Sequence, residues 1–116
     1  MTPREIDALV AEKIFNQPVV WLDIKGHKGF HREPFLCESN EGYGETYEVD
    51  SYTEYITDAW KIVEEMNDCL HLRQHGNRGR WAAKFCGKCD LESHADTATM
   101  AICLAALKAV GVEILA

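Results

Sequence analysis

The chain has 116 residues and a mass of about 13.1 kDa, enough for one compact domain and too short for two cores of useful size. Hydrophobic residues make up 47% and charged residues 27%, a mixture too apolar for a chain disordered throughout. With 12 Lys+Arg against 19 Asp+Glu the net charge is −7, which excludes whole-protein attraction to nucleic acid or to an anionic lipid surface.

Thr2 before Pro3 is a cap followed by proline at the first helical position, and Ile6, Leu9, Val10 and Ile14 recur at helical spacing. They predict a first helix over residues 3–16. The β-branched and aromatic run from Val19 to Ile24 predicts a short strand that Gly26 ends. Residues 25–50 show little periodicity and read as a long excursion or mobile loop, with one irregular strand around Thr46–Val49. Ser51-Tyr52-Thr53-Glu54 has the spacing of a capping box, and Ile56, Ala59, Trp60, Ile62, Val63 and Met66 form the apolar stripe of a second helix over 53–67.

Leu70 and Leu72 alternate with His71 and Arg73, and after a turn-rich stretch Trp81, Ala83 and Phe85 alternate again, which predicts a β-hairpin. Residues 89–94 supply a third antiparallel strand. A last helix, capped by Asp96 or Thr97, ends near Val110 with Gly111 after it. Met100 through Leu107 are apolar on every side, so this helix needs cover on more than one flank. Either the other helices provide it, or the same helix of a second copy does in a homodimer through residues 97–110. The apolar run Met100–Val110 is far short of the roughly 20 residues of a membrane span. Five cysteines, an odd number without regular spacing, and an N-terminus without a secretory pattern lead to the expectation of a reduced, cytoplasmic protein.

Three segments carry a family resemblance: Glu5-Ile6-Asp7-Ala8-Leu9-Val10-Ala11-Glu12-Lys13, Thr57-Asp58-Ala59-Trp60-Lys61-Ile62-Val63-Glu64-Glu65-Met66, and the closing helix that opens Ala95-Asp96-Thr97-Ala98 and runs to Lys108. Together they resemble the phage ABA-sandwich domain family, with the closing helix as the most specific part. The resemblance implies a phage or prophage origin and a β-sheet layer between helical layers, and it brings no catalytic motif. Combined with the elements above, the expected fold is α/β (α+β): a three-layer α-β-α sandwich with a small, mainly antiparallel sheet and three helices.

Charge is uneven along the chain. Residues 33–68 hold eleven acids against Lys61 alone, whereas residues 69–89 hold Arg73, Arg78, Arg80, Lys84 and Lys88 with no acid. Strand alternation puts Arg80, Lys84 and Lys88 opposite Trp81, Ala83 and Phe85. Such a row suits phosphate or carboxylate groups, with Arg as a bidentate donor and Lys as a point charge. Equally, it serves as a solvated face that neutralises the acidic segment. Helices on both faces of the sheet would leave little room for it.

Cys86-Gly87-Lys88-Cys89 has the C-x-x-C spacing that brings two thiolates to one Zn²⁺. His94 follows at a knuckle-like interval, but Thr99 stands where a fourth ligand belongs; His27, His31 or Cys37 would have to complete a site, and two unlinked turn thiols are the alternative. No nucleotide-binding glycine motif, nucleophile elbow or metalloprotease motif occurs, so no catalysis and no cofactor are expected. The glycine- and tyrosine-rich stretch 41–47 is suited either to contact or to pinning a loop on the core.

These features lead to the expectation of a non-enzymatic binding protein acting in the host cytoplasm. In one version Arg78, Arg80 and Lys84, with Trp81 or a tyrosine as a stacking surface, sequester a small anionic, nucleotide-like ligand such as a signal of host defence. In another, the acidic 33–68 segment docks on a basic host protein, with a salt-sensitive affinity. A structural phage protein without a ligand is the third.

Overall fold

A computed structural model of the chain describes residues 1–26, 29–37, 46–75, 79–87, 91–112 and 114. Helix α1 spans Pro3–Lys13, α2 Ile56–Met66 and α3 Ala98–Ala109. Strands β1 (Val19–Gly26), β2 (Gly29–Cys37) and β3 (Thr46–Glu48) form one antiparallel sheet, and β4 (Leu70–His75), β5 (Arg80–Phe85) and β6 (Ser93–Ala95) form a second. The result is an α+β fold of three helices and two small antiparallel three-stranded sheets, consistent with a sandwich.

α1 begins as its sequence predicts: the Thr2 hydroxyl accepts the Glu5 N–H at 3.2 Å and Pro3 opens the helix. It stops at Lys13, earlier than the apolar spacing suggests, because the chain reverses through Asn16 in the left-handed region (φ 54°). α2 starts three residues later than predicted. The Ser51 carbonyl accepts the N–H groups of Glu54 and Tyr55, so residues 51–55 are a turn that precedes the helix, and no side chain caps it. The Ser51 N–H goes instead to Asp58 Oδ2 at 3.1 Å.

Much of the supposed excursion is strand. β1 runs to Gly26 and pairs along its whole length with β2, from Val19 opposite Leu36 to Gly26 opposite Gly29. The first four residues of β2, Gly29 to Arg32, are exposed, so no apolar alternation announced them. Backbone pairing to β1 holds them, and the Pro18 carbonyl extends the contact by accepting the Cys37 N–H. The stretch 38–45, which carries most of the glycine and tyrosine cluster, lies outside the described residues.

The hairpin β4–β5 has the expected faces. Leu70 opposite Phe85 and Leu72 opposite Ala83 point inward, and Gln74 opposite Trp81 is exposed at the end of that face; Ala83 and Phe85 are fully buried. α3 packs against β5 and β6 and against α2 and α1. Most of its apolar surface is thus covered within one chain: Ile102, Cys103, Ala105, Ala106 and Leu107 are buried, while Met100 and Leu104 are half-buried and Val110, just after the helix, is exposed. Alanines at 101, 105 and 106 let neighbouring elements approach the helix closely, and the core is filled by Val10, Ile62, Phe85, Ile102 and Leu107.

Candidate functional site

The three helices begin at the same place. Thr2, Pro3 and Arg4 of α1, the turn Thr53–Tyr55 with Ile56 of α2, and Thr97 to Met100 of α3 all line one groove of about 990 Å³. The first-turn amides of a helix have no intrahelical partner and carry the positive end of its dipole. Caps consume part of this supply: Thr2 takes the Glu5 N–H and the Thr97 hydroxyl takes the Met100 N–H at 3.2 Å. The amides of Arg4 in α1 and of Ala98 and Thr99 in α3 precede those capped positions, and α2, which no side chain caps, begins with the amide of Ile56.

Thr53 is the hub that keeps the three starts together. Its N–H donates to Asp7 Oδ1 of α1 at 2.8 Å, and its carbonyl accepts the Thr99 hydroxyl of α3 at 2.6 Å. Asp7, Thr53 and Thr99 are all buried, so these bonds form away from competing water. The other Asp7 oxygen accepts Arg4 Nη1 at 2.9 Å, while Arg4 Nη2 reaches the Val49 carbonyl at 3.1 Å and Nε lies 3.4 Å from Glu33. A guanidinium has five N–H groups, so each terminal nitrogen of Arg4 keeps one for another acceptor. Asp7 is charge-compensated where it sits, and the exposed acid lining the groove is Glu54. Tyr55 and Ile56, each more than half exposed, give it an apolar platform.

Of the residues singled out in the sequence, the structure brings Arg80 and Lys84 to one face of the second sheet and puts Trp81 on the other, where it packs against the core. Trp81 is therefore no stacking partner for a group held by Arg80 and Lys84, a correction that follows from strand alternation. Arg78 lies outside the described residues, as do His27, Lys88 and Cys89. α3 packs on the Trp81 side; on the other face Arg80 is exposed, Lys84 half-buried and Ala82 between them buried. On that face Arg73 is taken up by Glu92 in a two-pronged pair at 2.7 and 3.2 Å, holding the Glu92 carboxyl below its ordinary range. Arg80 lies 3.9 Å from Asp96, whereas Lys84 has no carboxylate within ion-pair distance among the described residues.

The proposed zinc ligands around Cys86 also rearrange. His31 is beside Glu33 at 3.4 Å, His94 beside Glu92 at 3.9 Å, and Cys37 is buried. The side chains that do gather with Cys86 are Cys69 and His71, across the hairpin.

Helices on sheets with a shared groove at the helix starts define an α+β sandwich protein. The chain belongs to the phage ABA sandwich domain family, whose model matches residues 8–107. Its fold is also similar to the crystal structure of a phage protein from Bacillus cereus, with a TM-score of 0.71 over 99% of this chain and 93% of that one, at 23% identity. Among curated proteins nothing matches.

Proposed function

We propose that this phage protein is a non-enzymatic binder that sequesters a small anionic, nucleotide-like ligand in the groove where the three helices start. The observation that carries the reading is the convergence of three helix N-termini and the Arg4 guanidinium on one concavity of ligand size. Each N-terminus favours an anion by about 0.3–1 kcal/mol, more where partly buried, and the unused amides donate to phosphate oxygens. Tyr55 and Ile56 offer apolar area for a ring, as a nucleobase requires. Binding of this kind needs no chemistry.

Docking of the acidic segment on a basic protein has less support. Glu33 is paired with Arg4, Asp50 and Asp58 with Lys61, and Asp68 accepts backbone amides, so these acids serve the fold.

Isothermal titration of the purified chain with a panel of mono- and dinucleotides tests the proposal. A binding nucleotide should bind about two- to fivefold tighter to Glu54→Gln, because one repelling carboxylate is gone from the groove. Arg80→Ala with Lys84→Ala should leave its affinity unchanged. Loss of binding in that double variant, or weaker binding to Glu54→Gln, would overturn the assignment to the groove.

A further inference from the structure

At the end of the hairpin away from its turn, Cys69 and Cys86 stand opposite one another: the Cys86 N–H donates to the Cys69 carbonyl at 2.9 Å, one step beyond the pair Leu70 and Phe85. His71 follows Cys69 by two residues and so shares its face. One donor atom from each of the three, two sulfurs and a ring nitrogen, lies within 4.8 Å of the others. In a tetrahedral zinc site with Zn–S near 2.3 Å and Zn–N near 2.0 Å the donors stand roughly 3.3–3.8 Å apart. Side-chain rotations of about 1 Å close the difference.

From this geometry we infer that Cys69, His71 and Cys86 form a site for a borderline-soft divalent cation, Zn²⁺ in the first place, on the face of the second sheet opposite Phe85 and Trp81. The site is separate from the groove and does not depend on the reading given for it. Two thiolates and one imidazole form a donor set that zinc prefers over magnesium or calcium, which favour oxygen. Their surroundings set these cysteines apart. Cys37 and Cys103 are buried, as free cysteines ordinarily are, whereas Cys69 is exposed and Cys86 half-buried.

The backbone around the pair is held in advance. The Asp68 carboxylate accepts the N–H groups of Cys69 at 2.7 Å and of Gly87 at 3.1 Å, tying together the residues that flank the two thiols. A side chain at Gly87 would meet that carboxylate at 2.8 Å, so glycine there keeps the clamp closed. Desolvation and the adjacent Cys69 thiol raise the Cys86 thiol above its ordinary range, and the Lys84 ammonium pulls it back. On binding, both thiols give their protons to water and the two thiolates balance the metal charge. Three protein ligands leave one tetrahedral position for water or an anion. The site also braces β4 against β5 at the end that the turn does not close.

The test uses the full chain, reduced and stripped of metal, titrated with Co²⁺ and then Zn²⁺. One metal per chain is expected, with a thiolate-to-cobalt charge-transfer band that Zn²⁺ abolishes. The band should vanish in Cys69→Ser with Cys86→Ser. In His71→Ala affinity should fall by more than the roughly 10–100-fold typical of groups that only orient a ligand. His94→Ala, on the same face outside the cluster, should bind as the native chain does. Because variants can misfold, the native chain is also alkylated with and without Zn²⁺: the metal should protect Cys69 and Cys86. Absence of the band, a band that survives the double cysteine variant, or equal alkylation in both conditions overturns the inference.

Discussion

Replacing Asp7 by Ala removes both acceptors at the point where the helix starts are joined. The Thr53 N–H then lies buried with no partner, at about 1–3 kcal/mol for a stranded donor. Arg4 loses its closest carboxylate, but its side chain is 30% exposed and water replaces part of the loss, adding about 1 kcal/mol. The sum is about 3 kcal/mol. For a chain of this length the entropy of unfolding converts this to a fall in Tm of about 12 °C. Asp7→Asn keeps an oxygen for Thr53 and gives up only the charge pair, so it should cost about 1 kcal/mol. Thr99→Val, which strips the other bond to Thr53, should also cost about 1 kcal/mol. The two changes should couple in a double-mutant cycle because they act on one peptide unit. Urea unfolding followed by circular dichroism measures all four proteins. An Asp7→Ala variant within about 0.5 kcal/mol of the native chain would refute the role given to Thr53 as the hub.

Two further perturbations test the core and its titration. Phe85→Ala empties the largest fully buried side chain, between the second sheet and α3, and should cost about 3–5 kcal/mol in the same urea assay. Burial first, then nearby carboxylates led by Asp50, holds the Tyr52 hydroxyl well above its usual range, and burial followed by Asp7 does the same for the Cys103 thiol. Both groups keep their protons when folded and lose them when unfolded, so this contribution is intact below the unfolded value and fades as pH rises past it. Stability should therefore fall from about pH 9.0, the ordinary thiol value, and more steeply from 10.0, that of tyrosine. Cys103 contributes up to about 1.4 kcal/mol per pH unit, and Cys103→Ala should flatten the first part of the curve. A flat profile from pH 9.0 to 10.0 in the native chain would contradict the burial of Cys103, and no steepening above 10.0 would contradict that of Tyr52.

Where burial imposes a period, the sequence can be read. Helices α1 and α3 and the β4–β5 hairpin are visible because one face, or in α3 most of the surface, meets the core. β2 escapes such reading because Phe30, His31 and Arg32 are exposed, so backbone pairing and surface contacts such as Arg32 with Asp23 hold that stretch rather than apolar burial. The capping-box spacing at 51–54 misleads because Thr53 is committed to Asp7 and Thr99, whose partners lie 46 residues away in each direction. That distance also hides the groove. Thr2 and Thr97 are legible as caps, but their meeting in space is a product of packing. One signal was present: Asp7 stands beside Ile6 on the face that Val10, Ala11 and Ile14 bury, and an acid in that position needs a partner. The cluster at Cys86 has a similar history. C-x-x-C spacing directs attention along the chain, whereas the hairpin register brings Cys69 and His71 from across it.

The most direct measurement of the central claim is mapping amide chemical shifts of the ¹⁵N-labelled chain on addition of a nucleotide that binds. If the groove is the site, the largest changes fall on Arg4, Ile56, Ala98 and Thr99, first-turn amides of three helices far apart in sequence. Changes centred on Arg80 and Lys84 of β5, with those four amides unmoved, would contradict it and return the site to the basic face of the second sheet.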